Sequence, residues 1–315
     1  MEGMKIFTAN RRWDLPKFVA NDIGVELGKI SSKTFADQET WERFEESVRG
    51  ERVFLIQENT PARNLMILQQ MTDAAVRASA KEIVVVVPYF GWARQDRMKG
   101  RDCVSAKIVA DNIVNAGADS LMSMHLHFPQ MPSLIRKPWD HIYSAYCMID
   151  WIKKLSMDLT VVSPDYGMAA MADFIANKLK MPLAILRKLR PDHNVALTKT
   201  EYLIGKVKGR DLVLVDDIID TAGTLITTIM TLVELGAQRI FAAATHGVLS
   251  TPAKQKIEAC EALERVFITN TTPDLPRKKS NKIERGSVHK VFAEAIKRIH
   301  AKGSIKELFE EGLFC

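Results

Sequence analysis

The strongest indication of the fold of this 315-residue chain is the segment Leu212-Val-Leu-Val-Asp-Asp-Ile-Ile-Asp-Thr-Ala-Gly-Thr224. Its apolar start, Leu212 to Val215, is rich in β-branched side chains and is typical of a buried parallel strand. A helical pattern follows from Leu225 to about Leu235, and Gly236 closes it. A strand that passes through a short loop into a helix is one unit of an α/β sheet.

Charged and small residues fill the loop of this unit. Asp216 and Asp217 follow the strand at its carboxyl end, where open α/β sheets place their ligands. Carboxylate oxygens only accept hydrogen bonds, so the pair suits two neighbouring ribose hydroxyls, directly or through a divalent ion. Small residues at a helix start let backbone N–H groups approach a phosphate, and here they form a phosphate loop of Asp220, Thr221, Ala222, Gly223 and Thr224. A βα turn with acidic N-cap residues explains any one of these residues, but the whole stretch predicts a phosphorylated sugar.

Composition narrows the class of protein. Hydrophobic residues make up 47% and charged residues 26% of the chain, as expected of a globular protein with a full core. No apolar run approaches the roughly 18 residues that span a bilayer, and the N-terminus lacks a signal-peptide pattern. We therefore expect a cytoplasmic protein with no membrane partner. The net charge of +6 is spread along the chain, whereas a nucleic-acid partner would need a denser basic patch.

Strand and helix signals alternate in two similar halves, which predicts an α/β fold twice over. The predicted strands are Lys5–Thr8, Val53–Gln57, Ile83–Val87 and Ser120–His125 in the first half, and Thr160–Ser163, Leu183–Leu186, Leu212–Val215, Ile240–Ala244 and Val266–Thr269 in the second. We expect an N-terminal domain over residues 1–145, a C-terminal domain over 146–303, and a tail over 304–315 that docks on the N-terminal domain.

A second motif follows the predicted strand Ile83–Val87. It reads Pro88-Tyr-Phe-Gly-Trp-Ala-Arg-Gln-Asp-Arg97. Arg94 can fork onto phosphate oxygens, while Gln95 and Asp96 can bond an adenine or ribose edge. An aromatic-rich turn with a solvated charge cluster is the plainer alternative.

Both motifs resemble those of known families. The phosphate loop resembles the PRPP-binding loop of the type I phosphoribosyltransferase fold, which serves phosphoribosyltransferases and PRPP synthetases (ribose-phosphate diphosphokinases) alike. The decapeptide at 88–97 resembles the ATP-binding signature of PRPP synthetases, with Trp92 where a tyrosine is common, and phosphoribosyltransferases have no counterpart. The chain therefore resembles the PRPP synthetase family.

Further motifs carry the resemblance along the chain. Phe35-Ala-Asp-Gln-Glu39 is similar to F-S-D-G-E, whose Phe stacks on adenine and whose acids bind its edge, although Gln38 replaces the Gly. The resemblance implies ATP binding by Phe35, Asp37, Glu39, Arg94, Gln95 and Asp96.

Two short motifs imply a metal cofactor, Mg²⁺. His125-Leu-His127 resembles D-L-H and Ser163-Pro-Asp-Tyr-Gly167 resembles S-P-D-x-G, which makes His127 and Asp165 the implied ligands. A structural histidine and a helix N-cap are the plainer alternatives. His125 stands where the family has an Asp, and Met171 stands where it has an Arg.

The segment Lys188-Leu-Arg-Pro-Asp-His-Asn194 resembles the flexible catalytic loop K-R-R-P-x-x-N. A solvated basic loop is the plainer alternative. The resemblance makes Lys188 and Arg190 catalytic cations that close over the charge developing on the transferring phosphorus. Loss of either is expected to cut turnover by orders of magnitude with little effect on ribose 5-phosphate binding.

Together these motifs imply two tandem phosphoribosyltransferase-like domains, each a mainly parallel sheet flanked by helices. The implied reaction transfers the β,γ-diphosphoryl group of Mg·ATP to the 1-hydroxyl of ribose 5-phosphate, giving PRPP and AMP. Ribose 5-phosphate would bind Asp216, Asp217 and the phosphate loop. A homo-oligomer, a hexamer built from dimers, is implied as well. A non-catalytic regulatory homologue and a phosphoribosyltransferase are the alternatives.

Overall fold

The computed structural model describes residues 2–98, 100–155, 157–187, 202–273 and 280–310. The strands are β1 (Met4–Phe7), β2 (Ile30–Thr34), β3 (Thr40–Phe44), β4 (Arg52–Ile56), β5 (Glu82–Val86), β6 (Ser120–Met124), β7 (Trp139–Ile142), β8 (Leu159–Ser163), β9 (Leu183–Arg187), β10 (Tyr202–Ile204), β11 (Asp211–Ile219), β12 (Ile240–Gly247), β13 (Leu263–Thr269) and β14 (Ile283–Gly286). The α-helices are α1 (Asp14–Ile23), α2 (Ala62–Arg77), α3 (Ser105–Asn115), α4 (Ala145–Lys154), α5 (Ala169–Leu179), α6 (Gly223–Glu234), α7 (Ala253–Ala259), α8 (His289–His300) and α9 (Ile305–Glu310).

These elements form two compact units. Of the described residues, 2–143, 271–273 and 287–310 belong to the first unit, and 144–270 and 280–286 to the second. The first unit is built on a parallel sheet with strand order β1-β4-β5-β6-β7, and β2 and β3 form a separate antiparallel pair. The central strands read as continuous apolar runs because helices cover both faces of a parallel sheet.

The second unit is built on a larger sheet with strand order β10-β9-β8-β11-β12-β13-β14. The strand β10 is antiparallel to β9, and the other neighbours are parallel. Residues Leu212 to Val215 of β11 are buried at the centre of this sheet. The carboxyl end of β11 is therefore fixed on a rigid element, as a binding site requires.

The helix α8 joins the first unit, although the sequence placed residues up to 303 in the second domain. It packs beside α1, where the Phe18 and His289 rings lie 5.5 Å apart. The Arg52 guanidinium donates to the last carbonyls of α8, at 2.8 Å from Ile299 and 2.9 Å from His300. A cation that caps the carboxyl end of a helix is stabilising, and it ties α8 to the start of β4.

The expected fold class, α/β with mainly parallel sheets flanked by helices, is confirmed. All nine predicted strands are present, but β11 and β12 run further than their apolar cores suggested. The pairs Ile218–His246 and Ile219–Gly247 extend both strands past the last predicted residues. Within the described parts of the chain, no helix is long and apolar enough to cross a membrane.

The tip of the β2–β3 hairpin shows how the chain accommodates Gln38. The Gln38 N–H donates to the Phe35 carbonyl at 3.0 Å, and the Phe35 N–H donates to the Glu39 carbonyl at 2.9 Å. Gln38 has φ +75°, the left-handed residue that closes a three-residue hairpin loop. Glycine adopts this conformation without strain, whereas a residue with a Cβ does not.

We expect Gln38→Gly to raise the free energy of unfolding by about 0.5–1 kcal/mol, because it relieves the left-handed strain. Ala36→Gly in the same loop is the matched control, since Ala36 has no positive φ and should lose about the same amount. Urea unfolding followed by tryptophan fluorescence measures both. Equal destabilisation by the two substitutions would contradict the strain at Gln38.

Candidate active site

The second unit places its acidic pair at one edge of its sheet. Asp216 and Asp217 lie within β11, rather than just after it, and therefore point to opposite faces. Pairing with β8 ends at Leu214, so Asp216 keeps a strand neighbour only on the β12 side, where it faces Ala244. Asp217 is only 5% exposed. The two carboxyl groups thus stand where a parallel sheet opens towards a ligand.

Burial and charge act together on Asp216. Burial raises the pKa of its carboxyl well above the ordinary value, and the charges of Asp217 and, less strongly, Asp165 raise it further. The Asp217 backbone N–H donates to Asp216 Oδ1 at 2.9 Å, which offsets only part of this effect. Like charges crowded at a buried position favour a bound cation or several hydroxyl donors. The arrangement is therefore suited to a polyhydroxylated ligand that arrives with a metal ion.

The phosphate loop joins β11 to α6. Ala222 has φ +58° and Gly223 begins the helix, so the chain turns sharply at the amino end of α6. Left-handed and helical residues in succession aim their N–H groups into one concavity, which binds anions. Thr221 and Thr224 are exposed beside it, whereas Ala222 is buried. The loop therefore offers backbone and hydroxyl donors to an anion at the edge where the carboxylates stand.

Asp165 follows β8, the strand next to β11. Its Oδ1 accepts the Met168 N–H at 3.2 Å and caps the turn before α5. The plainer structural role thus exists in the structure. It does not remove Asp165 from the acidic edge, because its charge still acts on Asp216.

In the first unit, the segment 88–97 follows β5, and a hydrogen bond to Asn59 holds it in place. The fully buried Asn59 side chain accepts the Gly91 N–H through Oδ1 at 2.8 Å. A Cβ on Gly91 would lie 2.0 Å from Thr60 Cγ2, so only glycine fits this close approach. On the far side, the Ser105 hydroxyl donates to Gln95 Oε1 at 2.5 Å. The segment is therefore pinned at both ends.

The three predicted ATP-binding residues of this segment differ in how far their side chains are exposed to solvent. Arg94 and Gln95 are exposed. The Asp96 side chain is only 4% exposed, and one of its oxygens lies 3.4 Å from Arg97 Nε. Arg97 in turn lies over the Phe128 ring, 5.9 Å from its centre. Arg94 and Gln95 are thus presented to a ligand, while Asp96 helps to hold the segment against the loop that follows β6.

That neighbouring loop carries His127, which is exposed. Just before it, His125 has φ +42° and donates its N–H to the Ile142 carbonyl at 2.8 Å. The Leu126 N–H donates to His141 Nε2 at 3.0 Å, and burial lowers the pKa of His141 to about 4. His141 is therefore neutral at pH 7 and can accept this bond. The backbone around His127 is fixed by β7.

The β2–β3 hairpin presents the remaining predicted ATP-binding residues at its tip. The Phe35 ring is 41% exposed, with Lys33 Nζ 4.8 Å from its centre. Asp37 Oδ1 accepts the Glu39 N–H at 3.1 Å. An exposed ring beside acidic side chains is a surface on which a base can stack.

The structure thus gathers the predicted residues into two sets. In the first unit, Arg94, Gln95, Asp96 and His127 lie on loops after the adjacent strands β5 and β6. In the second unit, Asp165, Asp216 and Asp217 share one edge with the phosphate loop. Lys188 and Arg190 lie outside the described residues. Among the residues that are described, no three His, Cys, Asp or Glu side chains form a metal site by themselves.

The sequence patterns did not single out Asn59 or His141. Both are buried or half-buried polar residues whose bonds go to backbone N–H groups of loops distant in sequence. For Asn59, the sequence does contain a signal, because the polar run Gln57-Glu-Asn59 directly follows an apolar strand. His141 lies in a strand that was itself not predicted, so its sequence gave no signal.

Comparisons with known proteins point to one family. The model of the N-terminal domain of ribose phosphate pyrophosphokinase matches residues 4–117, and that of the phosphoribosyl synthetase-associated domain matches residues 177–310. Ribose-phosphate pyrophosphokinase from Caldanaerobacter subterraneus subsp. tengcongensis is 45% identical over 98% of both chains. The Bacillus caldolyticus protein of the same name is 40% identical, again over 98% of both.

A solved structure gives the same result. Phosphoribosylpyrophosphate synthetase from Mycobacterium smegmatis superposes with a TM-score of 0.88 at 33% identity, covering 96% of this chain and 100% of the other. The chain belongs to the ribose-phosphate pyrophosphokinase family, as its motifs implied.

The neutral His141 makes stability depend on pH. Its folded pKa of about 4 lies below the ordinary value of 6.5, so the unfolded chain takes up a proton first as the pH falls. We expect the free energy of unfolding to drop by roughly 1–3 kcal/mol more in the wild type than in His141→Gln between pH 7 and pH 4.5. Urea unfolding at both pH values measures this, and parallel pH profiles would contradict a buried neutral imidazole.

Proposed function

We propose that this protein makes PRPP from ATP and ribose 5-phosphate. The O1 hydroxyl of ribose 5-phosphate attacks the β-phosphorus of ATP and loses its proton as the new O–P bond forms. The bond from the β-phosphorus to the oxygen that bridges it to the α-phosphorus breaks, and AMP leaves with that oxygen. The protein's own task in such a transfer is positioning and charge neutralisation.

The observation that carries the proposal is the strand–loop–helix unit of β11 and α6. Asp216 and Asp217 are carboxylates suited to the ribose hydroxyls, and the loop from Asp220 to Thr224 is suited to the 5-phosphate. In the first unit, Phe35, Asp37 and Glu39 on the hairpin would bind adenine. Arg94, Gln95 and Asp96 would bind the rest of ATP, with Asp96 acting mainly through the position it gives the segment.

Magnesium is the metal that fits the residues present. Burial, together with the charges of the neighbouring carboxylates, raises the pKa of Asp216, and a bound divalent cation would lower it. Mg²⁺ binds through one or two carboxylates together with water and substrate phosphates, so it needs no complete protein cage. When bound with ATP it would neutralise charge on the transferring group. Asp165 and His127 are the ligands that we propose.

The two cations of the sequence at 188–190 complete the proposal. Lys188 and Arg190 would stabilise the charge on the phosphorus in the transition state. We further propose that the protein acts as a homo-oligomer built from dimers. His125, Leu189 and Met171 stand where the family has Asp, Arg and Arg, and these departures are what favours the alternative of a regulatory, non-catalytic homologue. No finding on the fold or on the relatives favours it.

The test uses ATP labelled with ³²P at the γ-phosphorus, together with ribose 5-phosphate and Mg²⁺. We expect the label in a ribose product and unlabelled AMP in equal amount. Asp216→Asn should lower kcat/KM for ribose 5-phosphate by at least about tenfold, because it removes one charged acceptor. Labelled ribose with ADP as coproduct would mean transfer of one phosphoryl group, and no product from folded protein with Mg²⁺ would exclude the reaction.

Asn59 gives a further prediction for the ATP side. Asn59→Leu removes the acceptor that holds the Gly91 N–H, so the segment with Arg94 and Gln95 loses its support. We expect KM for ATP to rise by roughly tenfold while KM for ribose 5-phosphate stays within about twofold. Asn64→Leu, which leaves the Gly91 bond intact, is the control. Equal changes in both KM values would refute a specific role in ATP binding.

A further inference from the structure

A lysine outside the phosphate loop lies over it. Lys256 is on α7, and its Nζ lies 3.9 Å from the point where a Cβ on Gly223 would stand. Thr221 Oγ1 lies 3.6 Å from the same point. The ammonium and the hydroxyl therefore both lie close to the start of α6, within reach of an anion held on the backbone there.

The fold holds α7 in this position. Ala253 and Ile257, on the same face one turn apart, are fully buried in the core of the second unit. Lys256 itself is exposed, and no hydrogen bond or ion pair with the other described residues engages its Nζ. A solvated lysine with a fixed stem and an unpaired head is available to bind a ligand.

The loop needs such a charge. Its five residues, Asp220 to Thr224, include a carboxylate and no cation, and Asp216 and Asp217 stand just before them. A phosphate dianion placed on these backbone N–H groups would meet acidic side chains close by, and like charges at this distance repel. Backbone donors alone fix the position of a phosphate, whereas an ammonium supplies the opposite charge.

We propose that Lys256 binds the phosphate of ribose 5-phosphate from outside the loop, as its cationic contact. The inference rests on the proposed function, because it assigns a further residue to the same substrate. Lys256 acts on binding and takes no part in bond making, so its loss changes affinity for the sugar phosphate rather than turnover at saturation.

The test compares three variants. We expect Lys256→Met to raise KM for ribose 5-phosphate at least about tenfold, with kcat within about threefold and KM for ATP unchanged. Lys256→Arg, which keeps the charge, should stay within about threefold of the wild type. Lys254→Met removes the same charge from the same helix, about 200° around its axis, and should leave KM unchanged.

Calorimetric titration with ribose 5-phosphate alone separates this inference from the proposed reaction. A weaker affinity in Lys256→Met, but not in Lys254→Met, supports the contact between Lys256 and the phosphate. Absence of AMP formation by the wild type would contradict the proposed reaction but not this contact. A dissociation constant for Lys256→Met within twofold of the wild type overturns the contact. Equal losses in both variants overturn it too, since they would reflect overall charge. Circular dichroism shows whether each variant is folded.

Discussion

Two neighbouring carboxylates on a buried strand determine which ligands the second unit can bind. Asp216 and Asp217 follow a run of four apolar residues in the central strand of a seven-stranded sheet, and Asp217 is only 5% exposed. Burial and mutual repulsion raise the pKa of Asp216, so the ionised pair is unstable without positive charge or hydroxyl donors. A ribose with its metal ion would supply both. The apolar strand holds the two carboxyl groups in fixed positions. Their negative charges would be compensated when the ligand binds.

In the proposed function, the same edge would also bind a phosphate, which carries the same sign of charge as the carboxylates. The backbone solves part of this problem, because the left-handed Ala222 and the start of α6 present N–H groups to an anion. A cation on the neighbouring helix α7 would solve the rest. Acidic and basic groups would then be separated along the ligand, with carboxylates at the hydroxyls and positive charge at the phosphate.

In the first unit, buried neutral side chains hold the loops that carry predicted site residues. Asn59 and His141 each accept a backbone N–H from a loop that carries predicted site residues. A neutral acceptor can be buried at low cost when its bond is made, whereas a charged one cannot. Burial keeps His141 neutral, and the bond from the Leu126 N–H makes Nε2 the accepting nitrogen. The exposed Arg94 and His127 are therefore presented by loops that are held from within.

Much of this arrangement could be predicted from the sequence, because it depends on local patterns. The apolar runs located nine strands of the two sheets, and the spacing of Asp216, Asp217 and Gly223 placed a sugar-phosphate site after one of them. The sequence patterns did not predict features that depend on tertiary contacts. The strand β11 continues through Asp217 because β12 offers it partners, and α8 joins the first unit because Arg52 caps it. The bonds of Asn59 and His141 join residues far apart in sequence, so no local pattern marks them.

We propose that the acidic edge of β11 binds the sugar phosphate and that ATP binds elsewhere. Calorimetric titration of Asp216→Asn with each substrate separately, in the presence of Mg²⁺, distinguishes the two sites. We expect the affinity for ribose 5-phosphate to fall at least about tenfold while the affinity for an ATP analogue stays within about twofold. Unchanged binding of ribose 5-phosphate, or an equal loss for both ligands, would contradict it.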